Sequence, residues 1–229
     1  MIMFKNELAL IADAHQCTLY GIADLEGIPT GDLAGFHRGV AFVFQMESWV
    51  MDQLSQGPTD AYSVLYKQVN LRIDAMSHEI VRGLERAGCN AFALPASVRS
   101  DPENIRGDFQ HKTAATRAGL GWVGRNCQLV TKKWGPWVRL GTVLTDAPLT
   151  PDRPIEKSLC GKCDQCVATC PASALTGSDW RPGIERDALL DAWACDHYKK
   201  THFNHYHGGH NCGICTQACP HGQKTVKAK

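Results

Sequence analysis

CGKCDQCVATCP, from Cys160 to Pro171, places four cysteines in the spacing C-x2-C-x2-C-x3-C-P. A second run, CGICTQACP from Cys212 to Pro220, repeats the C-x2-C-x3-C-P ending but has Gly209 where the first cysteine would stand. Of eleven cysteines in the chain, eight fall between Cys160 and Cys219. The opening MIMFKNELAL has neither a basic stretch leading into an unbroken apolar core nor a twin-arginine pair, so it does not read as an export signal. No apolar run approaches the ~20 residues that span a bilayer, so no membrane partner is expected. The expected location is the cytoplasm, where thiols stay reduced. The gathered cysteines therefore point to metal rather than to disulfides.

The first spacing is that of bacterial ferredoxins, in which the fourth cysteine ligates the other of two clusters. Three close thiolates wrap one corner of a cubane, and the next turn of helix points the fourth away. By that rule Cys160, Cys163 and Cys166 hold one [4Fe-4S] cluster, completed by Cys219. Cys212 and Cys215 hold the other, completed by Cys170. One place is left, and Cys195, at the end of the helix-like ERDALLDAWAC, is the cysteine that remains in the module. Position 209 is then free to be glycine. Two zinc sites of four thiolates would use the same cysteines, but zinc ribbons favour paired C-x2-C knuckles over a triple run ending in Cys-Pro. A module this short with few apolar side chains depends on its metal to fold. Between Cys195 and Cys212 lie five histidines, His197, His202, His205, His207 and His210. They read as a spacer that tunes cluster exposure, with extra metal ligation or proton carriage as the alternative.

Outside the module, 229 residues at 44% hydrophobic and 21% charged suit an ordinary globular protein with one full domain and a small appended one. Net charge is +1 and nominates no partner, but local charge is uneven. Eight acids face two bases between Met1 and Asp60. No acid occurs between Asp108 and Asp146, where Lys112, Arg117, Arg125, Lys132, Lys133 and Arg139 lie among Trp122, Trp134 and Trp137. Such a segment suits an anionic, ring-bearing ligand, unless its charges pair within the chain.

Phe4, Leu8, Ile11 and Ala14 predict a helix over 3–16. TLYGIADL and GVAFVFQM read as strands. From Ala61, Leu65, Val69, Ile73, Met76, Ile80, Leu84 and Ala87 keep helical spacing up to a glycine cap at Gly88. AFALPA is a strand, HKTAATRAG a short helix stopped by Gly119, and CQLVT and WVRLGTVLT two more strands. The tail GQKTVKAK is expected to fray. The expected architecture is an α+β, three-layer domain over 1–150 and, after the linker DAPLTPDRP, a ferredoxin-like double-cluster module over 151–229. Tyr62 and Tyr66, one helical turn apart, read as core, as do the thiols of Cys17, Cys89 and Cys127.

Gly119-x-Gly121-x-x-Gly124 in AGLGWVGRN has the spacing of a dinucleotide fingerprint, but a helix precedes it and a strand follows, which excludes that use. HKTAATRAGLGWVGRNCQLV, then GTVLTDAPL, then the double-cluster module with its displaced cysteine, together resemble epoxyqueuosine reductases and the corrinoid-dependent reductive dehalogenases. The resemblance implies a nitroreductase-like α/β domain holding a base-off cobalamin. It also implies two [4Fe-4S] clusters that carry electrons from an external low-potential donor to the cobalt. On that resemblance Lys112, Gly119, Gly121, Trp122, Gly124, Arg125 and Asn126 are candidate cobalamin contacts.

Queuosine enzymes carry an aspartate in a Val-Asp-Ser stretch as proton donor. Here the matching region reads LPASVRSDPENIRGDFQHK, with Ser97, Asp101, Asp108 and His111 as candidates. Those enzymes act on transfer RNA, whereas this chain stops soon after Cys219, so the expected substrate is a smaller molecule. The competing expectation is an electron-transfer protein without a corrinoid that reduces a protein partner.

Overall fold

In a computed structural model that describes residues 2–28, 33 and 35–227, the chain begins with α1 (Ile2–Ala14), β1 (Leu19–Asp24) and β2 (Arg38–Gln45). α2 (Ser48–Asp52), α3 (Asp60–Arg86), β3 (Ala91–Leu94) and α4 (His111–Arg117) follow, then β4 (Trp122–Val123), β5 (Leu129–Val130) and β6 (Val138–Thr145). The remainder is helical: α5 (Gln165–Ala168), α6 (Ala192–Phe203), α7 (Ile214–Gln217) and α8 (Pro220–Lys227), joined by short 3-10 turns. Among the described residues no helix is long and apolar enough to cross a membrane. Two compact units form, and neither is continuous in sequence. The first takes Met1–Phe44, Gln68–Leu120 and Arg139–Ile155; the second takes Gln45–Lys67, Gly121–Val138 and Glu156–Lys229.

The first unit is built on a sheet of order β1-β2-β6-β3, with β1 antiparallel to β2 and β3 antiparallel to β6. Val40 to Phe44 of β2 are each at most 1% exposed. A strand buried on both faces carries an unbroken apolar run instead of alternation, which is why GVAFVF reads as it does. On α3, Val69, Ile73, Met76, Ile80 and Leu84 form the buried face. That helix ends as its sequence predicts. Gly88 takes φ +80, its amide donates to Glu85 O, and the Cys89 amide donates to Leu84 O, a Schellman closure. The α1 face is also as expected at Leu8 and Ile11, while the side chain of Phe4 lies outside the described residues.

The second unit holds the β4–β5 ribbon, with Trp122 opposite Val130 and Val123 opposite Leu129, and the helices that carry the cysteines. CQLVT contributes only Leu129–Val130 as strand. The tail differs more. Gly222–Lys227 are helical within α8, because Pro220 opens that helix at its first position, where proline costs no hydrogen bond. Ala228 and Lys229 lie outside the described residues.

His111 fastens the start of α4 to the sheet. Its Nε2 lies 3.1 Å from Pro95 O and its Nδ1 2.9 Å from Thr142 Oγ1. A carbonyl only accepts, so Nε2 carries the proton and Nδ1 accepts from the threonine hydroxyl. Burial, with a smaller effect of the Arg139 charge, pushes the ring down to about 4 from an ordinary 6.5. The folded state therefore favours neutral His111. Its contribution is complete above the ordinary histidine value and is lost as pH falls toward the folded value. Between pH 6.5 and pH 4, denaturant titrations should show the wild type losing up to about 3 kcal/mol relative to His111→Gln.

Candidate metal centre

The first cysteine run folds as a turn into a one-turn helix. Gly161 takes φ +60, the Cys163 amide donates to Cys160 O, and the Asp164 carbonyl accepts from Val167 at the start of α5. This puts Cys160, Cys163 and Cys166 around one concavity and leaves Cys170 beyond the helix end. Cys219 completes the ring: these four cysteines line a pocket of about 320 Å³, mouth included, with Arg125, Asn126, Val130, Pro220 and His221. Burial and the neighbouring Cys219, Cys160 and Cys163 push the Cys166 thiol up to about 11. Burial also raises Cys219, while amides of His221 and Gly222 donate to its sulfur and work against the rise.

The second set is Cys170, Cys195, Cys212 and Cys215. Burial pushes Cys215 well above the ordinary thiol range, and Cys212, Cys195 and Cys170 add to it in that order, followed by Cys166 of the first set. Cys212 is raised by burial and by Cys195 and Cys170. Burial raises Cys195 too, with Lys199 opposing and Cys170 adding. Burial thus favours the protonated thiols of Cys195, Cys212 and Cys215, and metal binding there must displace protons. Among the described residues no three His, Cys, Asp or Glu side chains are drawn together tightly enough to hold a single metal ion.

Gly209 is required by packing. It takes φ +72, and a Cβ there would stand 2.6 Å from the Cα of Lys200 and 2.9 Å from Lys199 O, on the backbone of α6. The same helix carries Cys195. Asp191 caps it through the Ala194 amide, and buried Asp196 is 2.8 Å from Lys200 and 3.7 Å from Lys199. The histidine segment packs rather than converges. His207 Nε2 lies 2.9 Å from Ser63 Oγ, and its ring is 5.3 Å from that of Tyr66, which also meets Tyr62. His202 stacks on Tyr198 at 4.0 Å.

The glycine-rich turn connects β4 to β5. The Gly124 amide donates to Gln128 O, and Cys127 takes φ +56 to close the loop. Cβ atoms at Gly121 and Gly124 would come 2.4 Å from Val130 O and 2.7 Å from a Val130 methyl, and one at Gly119 would lie 2.5 Å from Arg153 O. Arg125 donates to Asp179 at 2.9 Å and to Cys163 O at 3.0 Å, tying the turn to the first cysteine run. Trp122 is buried and meets His221 edge-on at 5.1 Å. Cys127 is buried with Val123 and Leu189 and lies within electrostatic reach of Cys195. Cys17 is a half-buried thiol that desolvation pushes up to about 11 and that donates to Leu19 O and Val43 O.

Three more residues of the basic segment are engaged inside their own units. Arg117 donates to Asp24 O, Arg139 to Asn70 Oδ1 and Ala96 O, and Lys133 sits 4.8 Å from the Trp134 ring centre. Among the candidate proton carriers, Asp101 accepts from the amide and side chain of Asn104, which hold its carboxyl below the usual range. Asp108 and Ser97 are exposed, and Lys112 is half-buried on α4.

Residues 159–222 match the 4Fe-4S double cluster binding domain family. An epoxyqueuosine reductase of Listeria monocytogenes is 35% identical over 120 residues, 51% of this chain and 31% of that protein. One of Gloeobacter violaceus is 32% identical over 155 residues, 62% of this chain and 43% of that protein. The chain thus spans less than half the length of these relatives. A catabolic reductive dehalogenase has the same fold at TM-score 0.72 and 21% identity, over 93% of this chain and 31% of that one. An epoxyqueuosine reductase solved with a modified transfer-RNA stem loop matches at TM-score 0.60 and 20% identity, over 97% of this chain and 66% of that one. The resemblance carried by the glycine–tryptophan turn and the cysteine module is borne out. Gly209→Ala should push on the helix that carries Cys195; if Cys195 completes one of two four-iron sites, bound iron should fall by about half.

Proposed function

We propose that the chain is an iron–sulfur reductase in which residues 151–229 hold two [4Fe-4S] clusters and residues 1–150 form the cofactor and substrate domain. Cys160, Cys163, Cys166 and Cys219 ligate one cluster; Cys170, Cys195, Cys212 and Cys215 ligate the other. The observation that carries this reading is the exchange: Cys219 lines the pocket of the first run, and Cys170 lies among the cysteines of the second. Bacterial double-cluster modules make the same exchange. The donor sets fit. Around one zinc ion four thiolates at about 2.3 Å crowd together, and among the described residues no three such side chains come together to hold a single ion; a cubane holds its ligands further apart.

The likeness to reductases runs over more than nine-tenths of the chain and not over the cluster segment alone, which favours an enzyme over a free electron carrier. β2, buried on both faces, supports a three-layer, nitroreductase-like domain. In this reading the first-run cysteines and Arg125 hold one cluster in place, and α6 delivers Cys195 to the other. Cys166 and Cys215 lie close enough to feel each other's charge, so the two sites adjoin. Electrons enter from an external low-potential donor in the cytoplasm.

A solved relative at TM-score 0.70 is described as a reductive dehalogenase whose structure suggests a mechanism for B12-dependent dehalogenation. By that likeness the acceptor is cobalamin, which when bound supplies low-valent cobalt for two-electron reduction of a small electrophilic substrate. The glycine-rich turn does not itself provide the fit, since its glycines meet close neighbours within the chain and Arg125 and Asn126 line the cysteine pocket. Lys112 is kept as the corrinoid contact, and exposed Ser97 and Asp108 as the proton carriers. One solved relative is described with an epoxyqueuosine-modified transfer-RNA stem loop; by the likeness to the reductive dehalogenases, a small molecule is proposed here.

After anaerobic reconstitution the wild type should hold about eight irons and Cys195→Ala about four. An unchanged iron count in the variant would overturn the ligand assignment. Wild type given cob(II)alamin and gel-filtered should keep a base-off cobalt signal in its electron paramagnetic resonance spectrum. Loss of all cobalt with both clusters intact would favour the electron carrier.

A further inference from the structure

Asn126 is 3% exposed and lines the pocket of Cys160, Cys163, Cys166 and Cys219. Its Oδ1 accepts from the Gln128 amide at 3.1 Å, which turns that end of the side chain back into its own loop. Its Nδ2 is buried and has no hydrogen-bond partner among the described residues. A buried amide NH2 left without an acceptor is costly, so such a group is expected to meet a partner that binds later. The Gln128 contact also settles which end is which, because an amide N–H requires the oxygen opposite it.

A second observation places the turn against a cluster ligand. A Cβ built on Gly124 would stand 3.6 Å from Cys160 Sγ and 2.8 Å from Asn126 Oδ1. Glycine at 124 lets the backbone run alongside the Cys160 sulfur, and Arg125 ties the same turn to Cys163 O at 3.0 Å. His221 Nδ1 is likewise buried without a partner in this pocket, but an imidazole can present either a proton or a lone pair. The Nδ2 of Asn126 can only donate.

We infer that Asn126 Nδ2 donates a hydrogen bond to a sulfide or thiolate of the cluster held by Cys160, Cys163, Cys166 and Cys219, raising that cluster's reduction potential above what its ligands alone would set. This rests on the two-cluster reading. A one-electron reduction adds a negative charge to the cluster, and a fixed donor stabilises the reduced form more than the oxidised one. Asn126 thereby tunes one of the two clusters and leaves the other unaffected, offsetting their potentials along the electron path.

Redox titration of the reconstituted wild type and of Asn126→Leu, followed by electron paramagnetic resonance, tests it. One of the two midpoints should move to more negative potential, by about tenfold in the reduction equilibrium or about 59 mV for a one-electron couple, while the other stays. Both clusters present in Asn126→Leu with both midpoints unchanged would overturn the role of Asn126 alone. No cluster signal in the wild type would overturn the two-cluster reading and the inference with it. If Asn126→Leu fails to assemble, Asn126→Asp keeps an oxygen for the Gln128 amide and removes the donor. Its iron–sulfur vibrational bands should shift less between H2O and D2O than those of the wild type. An equal isotope shift would overturn the inference, because added charge alone gives no deuterium sensitivity.

Discussion

Everything in the second unit turns on the crossing of two cysteines, Cys170 and Cys219, each of which leaves its own run and stands among the thiols of the other. Helix geometry imposes this. A one-turn helix such as α5 or α7 can face only part of its cysteine run toward one centre, and the residue past its end is carried round to a different side. Two runs placed head to tail satisfy each other's remainder. The sites are consequently neighbours, which suits a module that moves electrons.

Where the second run falls short of a cysteine, α6 replaces it. The helix brings Cys195 to the site, and its backbone at Lys199 and Lys200 presses on Gly209 so closely that no side chain fits there. The arrival of Cys195 from a distant helix and the absence of a Cβ at 209 go together, because the same helix makes both contacts. The buried Asp196, held between Lys199 and Lys200, braces the helix through which this happens. Exposed ion pairs are worth little, but a carboxylate only 3% exposed depends on its partners.

The glycine-rich turn changes meaning once its neighbours are known. Its spacing imitates a phosphate-binding loop, yet each glycine answers a close backbone or side-chain approach inside the chain, and the arginine and asparagine that follow face the cysteines. A turn that resembles a cofactor cradle is thus a wall of the pocket lined by Cys160, Cys163, Cys166 and Cys219. The basic segment around it likewise spends much of its charge on carbonyls, one carboxylate and one indole within its own unit.

The sequence alone determined the elements whose cause is local: the long α3 with its glycine closure at Gly88, the doubly buried β2, the turn-and-helix form of the first cysteine run, and the family likeness carried by those motifs. These follow from spacing, because helix and strand periodicity is written in neighbouring residues. It could not show that Pro220 starts a helix instead of stopping one, since proline serves either role and the choice lies with the residues after it. Nor could it show that Gly209 must be glycine, that His111 is locked between Pro95 and Thr142, or that Asn126 keeps a buried donor without a partner. Each of these depends on chain segments far apart in sequence coming within a few ångströms, and only the tertiary structure decides which segments those are.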